Sequence, residues 1–154
     1  MKGDPKVLET LNFLLADELT AVNQYMVHAE MCDDWGYGKL DEAVEKRAIE
    51  EMKHAEKIIK RILFLEGTPI VSKLNKISIG ADVKTQLMND QTEEIKAIKN
   101  YNDAVRLCAE ASDNGTKEML HGILLEEEAH LDWIETQLEQ INQMGLQNYL
   151  VEQM

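Results

Sequence analysis

The chain has 154 residues, 44% of them hydrophobic, enough for one buried core and too little for two, so a single domain over residues 1–154 is expected. Only 5% are aromatic and two are proline, while Leu, Glu, Ala, Ile and Lys abound, which disfavours a strand-rich fold and indicates an all-α class. A formal net charge of -13 argues against nucleic acid and anionic membrane as partners and favours cations.

Asp4-Pro5 opens the first expected helix, near residues 5 to 35, with an acidic N-cap followed by proline in the first turn. At 1.5 Å per residue it would be roughly 45 Å long. Its inward stripe reads Val7, Leu11, Leu14, Glu18, Val22 and Tyr25. Gly36 and Gly38 close it, glycine being the usual residue past a helix end. The second helix, near 39 to 66, carries Leu40, Val44, Glu51, His54, Ile58 and Leu65 inward, with Arg47 as an interruption. The segment Gly67 to Ala81 contains Pro69 and has no helical period, so it reads as a long connection.

The third helix, near 82 to 112, places Val83, Leu87, Glu94, Ile98 and Tyr101 on one stripe. The fourth, near 117 to 144 beyond Gly115, has Leu120, Ile123, Leu124, Glu127, His130, Leu131, Ile134, Leu138 and Ile141; Gly122 within it is expected to mark close packing. After Gly145 the tail Leu146 to Met154 is at most a short fifth helix. Two short turns make antiparallel hairpins, and the long segment lets the second hairpin cross the bundle. Cys32 and Cys108 form no Cys-x-x-Cys pair and read as free thiols in the core, which suits a reducing cytoplasm. Apolar runs such as Ile62 to Leu65 fall far short of the ~18 residues of a membrane span.

An offset of 76 residues superposes Val7 on Val83, Leu11 on Leu87, Glu18 on Glu94, Val22 on Ile98, Tyr25 on Tyr101, Glu51 on Glu127, His54 on His130 and Ile58 on Ile134. Repeated apolar positions mean only that both hairpins obey one period. Repeated acids and imidazoles within apolar stripes need another cause, because a buried carboxylate must be paired, protonated or metal-bound. Four carboxylates would balance two divalent cations, and two neutral imidazoles would complete the coordination.

Each Glu-x-x-His puts both side chains on one helix face. A lone copy is ordinarily a pair on a solvated face; two copies with two further acids at one offset are not. One Glu from each of two helices and one Glu-x-x-His from each of the other two resembles the known ligand set of ferritin-like dinuclear bundles. Such donors suit iron or manganese, and zinc could occupy the same place. Tyr25 and Tyr101, one heptad beyond Glu18 and Glu94, have either a supporting or redox role beside the metals or simply satisfied hydroxyls in the core. His28 and His121 have no partner at metal spacing and are expected at the surface, as are Glu126 and Glu128.

The start Met1-Lys2-Gly3-Asp4, the segments Leu19-Thr20-Ala21-Val22-Asn23-Gln24-Tyr25, Glu51-Met52-Lys53-His54-Ala55 and Arg61-Ile62-Leu63-Phe64-Leu65-Glu66-Gly67, and the ending Gly145-Leu146-Gln147-Asn148-Tyr149-Leu150 resemble the bacterioferritins, and the resemblance runs over essentially the whole chain. It implies a cytoplasmic shell of 24 subunits, alone or mixed with a second subunit type, with a di-iron ferroxidase centre in each bundle. Ferrous iron would be oxidised by O2 or H2O2 and stored as ferric mineral, and a reductant such as a ferredoxin would drive release. The resemblance carries over Glu18, Glu51, His54, Glu94, Glu127 and His130 as iron ligands, with Glu51 and Glu127 as bridges.

It also implies a haem b shared between two subunits, held by the same methionine from each, and Met52 occupies that position. Met52 lies about 100° past Glu51 around the helix and so points out of the core; without the resemblance it would be an ordinary interface methionine. Some members bind an extra iron on the inner wall through a histidine and an aspartate where this chain has Lys46 and Glu50, and a protonated lysine cannot ligate. The rivals are another di-iron oxidase or a rubrerythrin-like peroxidase, which usually adds a Cys-rich portion, a mini-ferritin with its iron site between subunits, and a purely structural bundle.

Overall fold

The computed structural model describes residues 1–154 as five helices and no strand: α1 (Pro5–Asp34), α2 (Gly38–Phe64), α3 (Val83–Glu110), α4 (Asn114–Met144) and the short α5 (Leu146–Val151). Three of the long helices start on an aspartate whose side chain accepts a backbone N–H that the helix leaves free: Asp4 from Lys6, Asp82 from Thr85 and Asp113 from Thr116. The Asp113 cap explains why α4 begins at Asn114, before the expected residue 117. Gly115 therefore lies in its first turn, where a Cβ would meet the Arg61 guanidinium at 2.7 Å.

Helix ends also differ from the glycine-based expectation. The residues in left-handed conformation after α2 and α3 are Glu66 (φ 61) and Ser112 (φ 57). Gly67 follows Glu66 because a Cβ there would strike Leu8 at 2.5 Å, not because it needs positive φ. Gly122 has nothing within 4 Å of a Cβ built on it, so the expected close packing is absent.

α1 pairs with α2 and α3 with α4 as antiparallel hairpins, and the hairpins face each other through α1–α3 and α2–α4 contacts. This is a four-helix bundle with a long crossover between helices 2 and 3 and a short fifth helix, which docks by burying Tyr149, whose hydroxyl donates to Gln137 Oε1 at 2.7 Å. No helix is long and apolar enough to cross a membrane.

The crossover has no ladder of its own, so its backbone N–H groups need partners. They find them along one stripe of α1: Ile70 N donates to Asn12 Oδ1, Asn75 N to Thr20 Oγ1, Ser78 N to Gln24 Oε1 and Gly80 N to His28 Nε2, at 2.8 to 3.0 Å. Thr20, Gln24 and His28 are four residues apart and share a face. His28 is thus fully buried, which corrects the expectation that it is a surface residue; its Nδ1 faces Asp90 Oδ1 at 2.9 Å.

The apolar core is divided. A large cluster including Val7, Leu11, Leu14, Ile58, Ile62, Tyr101 and Leu120 fills one end, and a smaller one including Leu40, Val83, Leu87, Ile134 and Ile141 fills the other. Cys32 and Cys108 are free and buried in these clusters, as expected of core thiols. Between them, at mid-bundle, lie the acids.

Candidate metal centre

Each long helix lowers one carboxylate into that gap: Glu18 from α1, Glu51 from α2, Glu94 from α3 and Glu127 from α4, all at most 3% exposed. His54 and His130, one turn beyond Glu51 and Glu127, are buried beside them. His54 Nδ1 lies 2.7 Å from Glu127 Oε1, 3.2 Å from Glu51 Oε2 and 3.6 Å from Glu18 Oε2. His130 Nδ1 lies 2.9 Å from Glu51 Oε1 and 3.7 Å from both Glu94 Oε1 and Glu127 Oε2. The six residues therefore form two donor groups, Glu18, Glu51, His54 and Glu127, and Glu51, Glu94, Glu127 and His130, with donor atoms in each group within 4.8 Å of one another. Glu51 and Glu127 belong to both. The imidazoles face each other nearly parallel, with ring centroids 6.1 Å apart.

Proximity does not satisfy these atoms. His130 Nδ1 and Glu51 Oε1 are close but poorly angled, and neither has a hydrogen bond; Glu18 Oε2, Glu94 Oε2 and Glu127 Oε1 are also without one. Five orphaned, fully buried polar atoms at one point would be costly in a purely structural core. Their donor chemistry, four carboxylates and two imidazoles with no lysine or arginine among them, fits two divalent cations in charge and in ligand type.

Protons respond to the same crowding. Burial first, then the negative charges of Glu18 and Glu127, hold the Glu51 carboxyl well above the usual carboxylate range. Burial, and then its contact with Glu127, does the same to Glu94. Glu127 goes the other way: burial disfavours its charged form, but the adjacent Glu94 carboxyl and His54 imidazole favour it by more. Burial works against a charged His54, but Glu127 and Glu18 override it and push its pKa up to about 10.

Support comes from outside the six. His54 Nε2 is in short contact with Glu126 Oε2 of α4, and His130 Nε2 lies 2.6 Å from Glu50 Oε2 of α2. Glu50 is held in turn by Arg47 at 2.9 Å, and Glu126 by Lys57 at 3.4 Å. Each imidazole is thus oriented with Nδ1 toward the carboxylates. Glu126 is half-exposed, yet its carboxylate is committed to His54, which corrects its reading as mere solvated surface; His121 and Glu128 are exposed as expected. Glu50 and Glu126 stand at the same offset of 76 residues as the six, a signal the sequence carried. Tyr25 donates to Glu94 Oε1 and Tyr101 to Glu18 Oε1, each reaching across between α1 and α3. Burial, and then the charge of those carboxylates, keeps both phenols protonated by raising their pKa.

The family model for a ferritin-like domain matches residues 8–144. Bacterioferritin from Rhodobacter capsulatus is 43% identical over 149 residues, 97% of this chain and 92% of that protein. Bacterioferritin from Mycolicibacterium paratuberculosis is 40% identical over 97% of this chain and 94% of its own, and that from Brucella melitensis 40% over 97% and 92%. The chain belongs to the bacterioferritin family of iron-storage proteins.

A second feature bears on the bacterioferritin resemblance. Met52 is exposed on α2, and with Val22, Met26 and Ile49 it lines an apolar groove of about 300 Å3 between α1 and α2, well separated from the inward face that carries Glu51 and His54. An exposed neutral thioether on an apolar floor has the donor chemistry that a haem iron would accept. Lys46 is exposed, while Glu50 is already engaged by Arg47 and His130.

Proposed function

We propose that this chain is a ferroxidase subunit: a single ferritin-like domain over residues 1–154 that takes two ferrous ions as substrate at the centre, oxidises them with O2 or H2O2, and stores the ferric product as mineral within a cytoplasmic 24-subunit shell. The observation that carries this reading is the sharing of Glu51 and Glu127 between two donor groups, each with three carboxylates and one imidazole. In this reading Glu18 and His54 hold one iron, Glu94 and His130 the other, and Glu51 and Glu127 bridge them.

The bound irons supply the electrons, two of which reduce one dioxygen to hydrogen peroxide with uptake of two protons. The protein supplies position and charge. Glu126 and Glu50 keep the imidazole Nδ1 lone pairs aimed inward, and Tyr25 and Tyr101 fix one oxygen each of Glu94 and Glu18 so that the other stays free. Two apolar clusters flank the site and limit water.

In the same reading Met52, together with Met52 of a second copy, would hold a shared haem b, and the chemistry such a group would supply is electron transfer from a reductant such as a ferredoxin for iron release. Replacing Glu18 and Glu127 together with alanine tests the main proposal. The expected result is a shell of unchanged mass by size exclusion that has lost rapid ferrous oxidation, with the metal-free form no less stable, since crowded buried acids are relieved. Oxidation at the wild-type rate would overturn the assignment.

A further inference from the structure

On the α1–α3 face a narrow cavity leads from solvent to the centre. It has about 20 Å3 of room for water centres, on the order of one or two molecules. Exposure falls along its wall, from the half-exposed Lys96 and the largely covered Glu93 and Asp17 to the buried Glu18, Glu94, Glu51 and Glu127. Ala21 and Ala97 form the intervening wall, where larger side chains would close it. The mouth repeats at the internal offset, Asp17 with Glu93 and Ala21 with Ala97, but Lys96 does not, since the matching position is Thr20.

Lys96 is the only cationic side chain on that wall. Its Nζ sits between two acids, 3.6 Å from Asp17 Oδ1 and 3.9 Å from Glu93 Oε2, too far to hydrogen-bond either. Asp17 is fixed independently: Asn75 Nδ2 donates to its Oδ1 at 2.6 Å and Asn100 Nδ2 to its Oδ2 at 2.8 Å. Glu93 has no partner except Lys96. The mouth is therefore a preset acidic pair with a loosely held ammonium between its members. Further in, Glu18 Oε2 and Glu94 Oε2, buried and without partners, line the same cavity.

From this we propose that Lys96 is a displaceable latch on the cation passage: its ammonium occupies the place between Asp17 and Glu93 where an incoming divalent cation first binds, and so sets the rate of filling. This rests on the metal-centre reading above. A half-exposed, unbonded ion pair exchanges readily, and a divalent ion offers both carboxylates twice the charge with inner-sphere bonds that lysine cannot make. The transfer inward is a ligand exchange with no redox step: oxygen bonds to Glu93 and Asp17 break as bonds to Glu18 and Glu94 form.

The test uses the assembled, metal-free protein with Co2+ as probe, its visible absorption reporting occupancy of the carboxylate–imidazole centre. Lys96→Gln should fill about threefold to tenfold faster at low ionic strength, an advantage that shrinks with added salt, and Glu93→Gln should fill slower by a similar factor. Lys96→Arg should stay near the wild-type rate. All should reach the same final spectrum and number of ions per chain, which a general structural defect would not preserve. If both Lys96→Gln and Glu93→Gln fill at the wild-type rate, the latch is overturned while the metal centre stands. If wild-type protein takes up no Co2+ at the centre, the metal-centre reading falls and the latch with it.

Discussion

Glu126 on α4 grips His54 on α2 from behind, while Glu50, its counterpart on α2, grips His130 on α4. The two hairpins thus orient each other's imidazoles. Replacing Glu126 or Glu50 with alanine should weaken binding of a divalent ion by about 10- to 100-fold, and glutamine, which can still accept the hydrogen bond, should lose less. Competition titration with a chelator measures this; wild-type affinity in both alanine variants would contradict the orienting role.

Metal and protons compete for the centre. Glu51 and Glu94 are held above the ordinary carboxyl range, so the folded metal-free chain binds protons there more tightly than the unfolded chain. That contribution to stability is fully present below the unfolded carboxyl pKa and is lost as pH rises through the folded values. His54 acts in the same direction, its contribution present below about 6.5 and lost as pH rises through about 10. Above the ordinary carboxyl range, where the lowered Glu127 no longer titrates, metal-free protein should therefore lose stability with rising pH, whereas affinity for Co2+ should increase and loading at neutral pH should release protons. Denaturation at several pH values and a pH-indicator titration check both; loading without proton release would refute the protonated state.

Met52 faces away from the six inward residues, so Met52→Leu removes a thioether while keeping size and helix propensity. Haem should be lost, with shell assembly and initial ferrous oxidation retained and reductive iron release slowed. The Soret band of haem-supplied protein reads this directly: a leucine variant with the wild-type band would make Met52 an interface residue only.

His28 carries the last rung between α1 and the crossover. In His28→Ala, Gly80 N–H and Asp90 Oδ2 lose their partners inside the protein, while Asp90 Oδ1 keeps Gln24, at a cost of about 1–3 kcal/mol for each group left bare. Chemical denaturation should show the loss, and amide exchange should speed up first at Ser78 and Gly80. Equal protection in the variant would mean that the crossover is held by other contacts.

Much of the centre was legible because its signals are local. A Glu-x-x-His lies on one helix face whatever surrounds it, and an acid inside an apolar stripe is visible in one dimension, so all six inward residues could be named before any fold was known. Helix spans came within about three residues because stripes and capping aspartates are local too.

By itself, then, the sequence determined four amphipathic helices, their pairing through short turns, and six polar residues that had to meet in a core. Tertiary structure alone decided what lies behind and around them. His28 resembles a surface histidine until the crossover lies down on α1 and supplies Gly80 N–H, and Glu126 resembles solvated surface until α2 brings His54 to it. The mouth of the passage exists only because Asp17 and Lys96, on different helices, arrive at one point. Helical periodicity states which face of one helix points inward, whereas these contacts depend on the rotation and height of a second element, which no single stripe encodes.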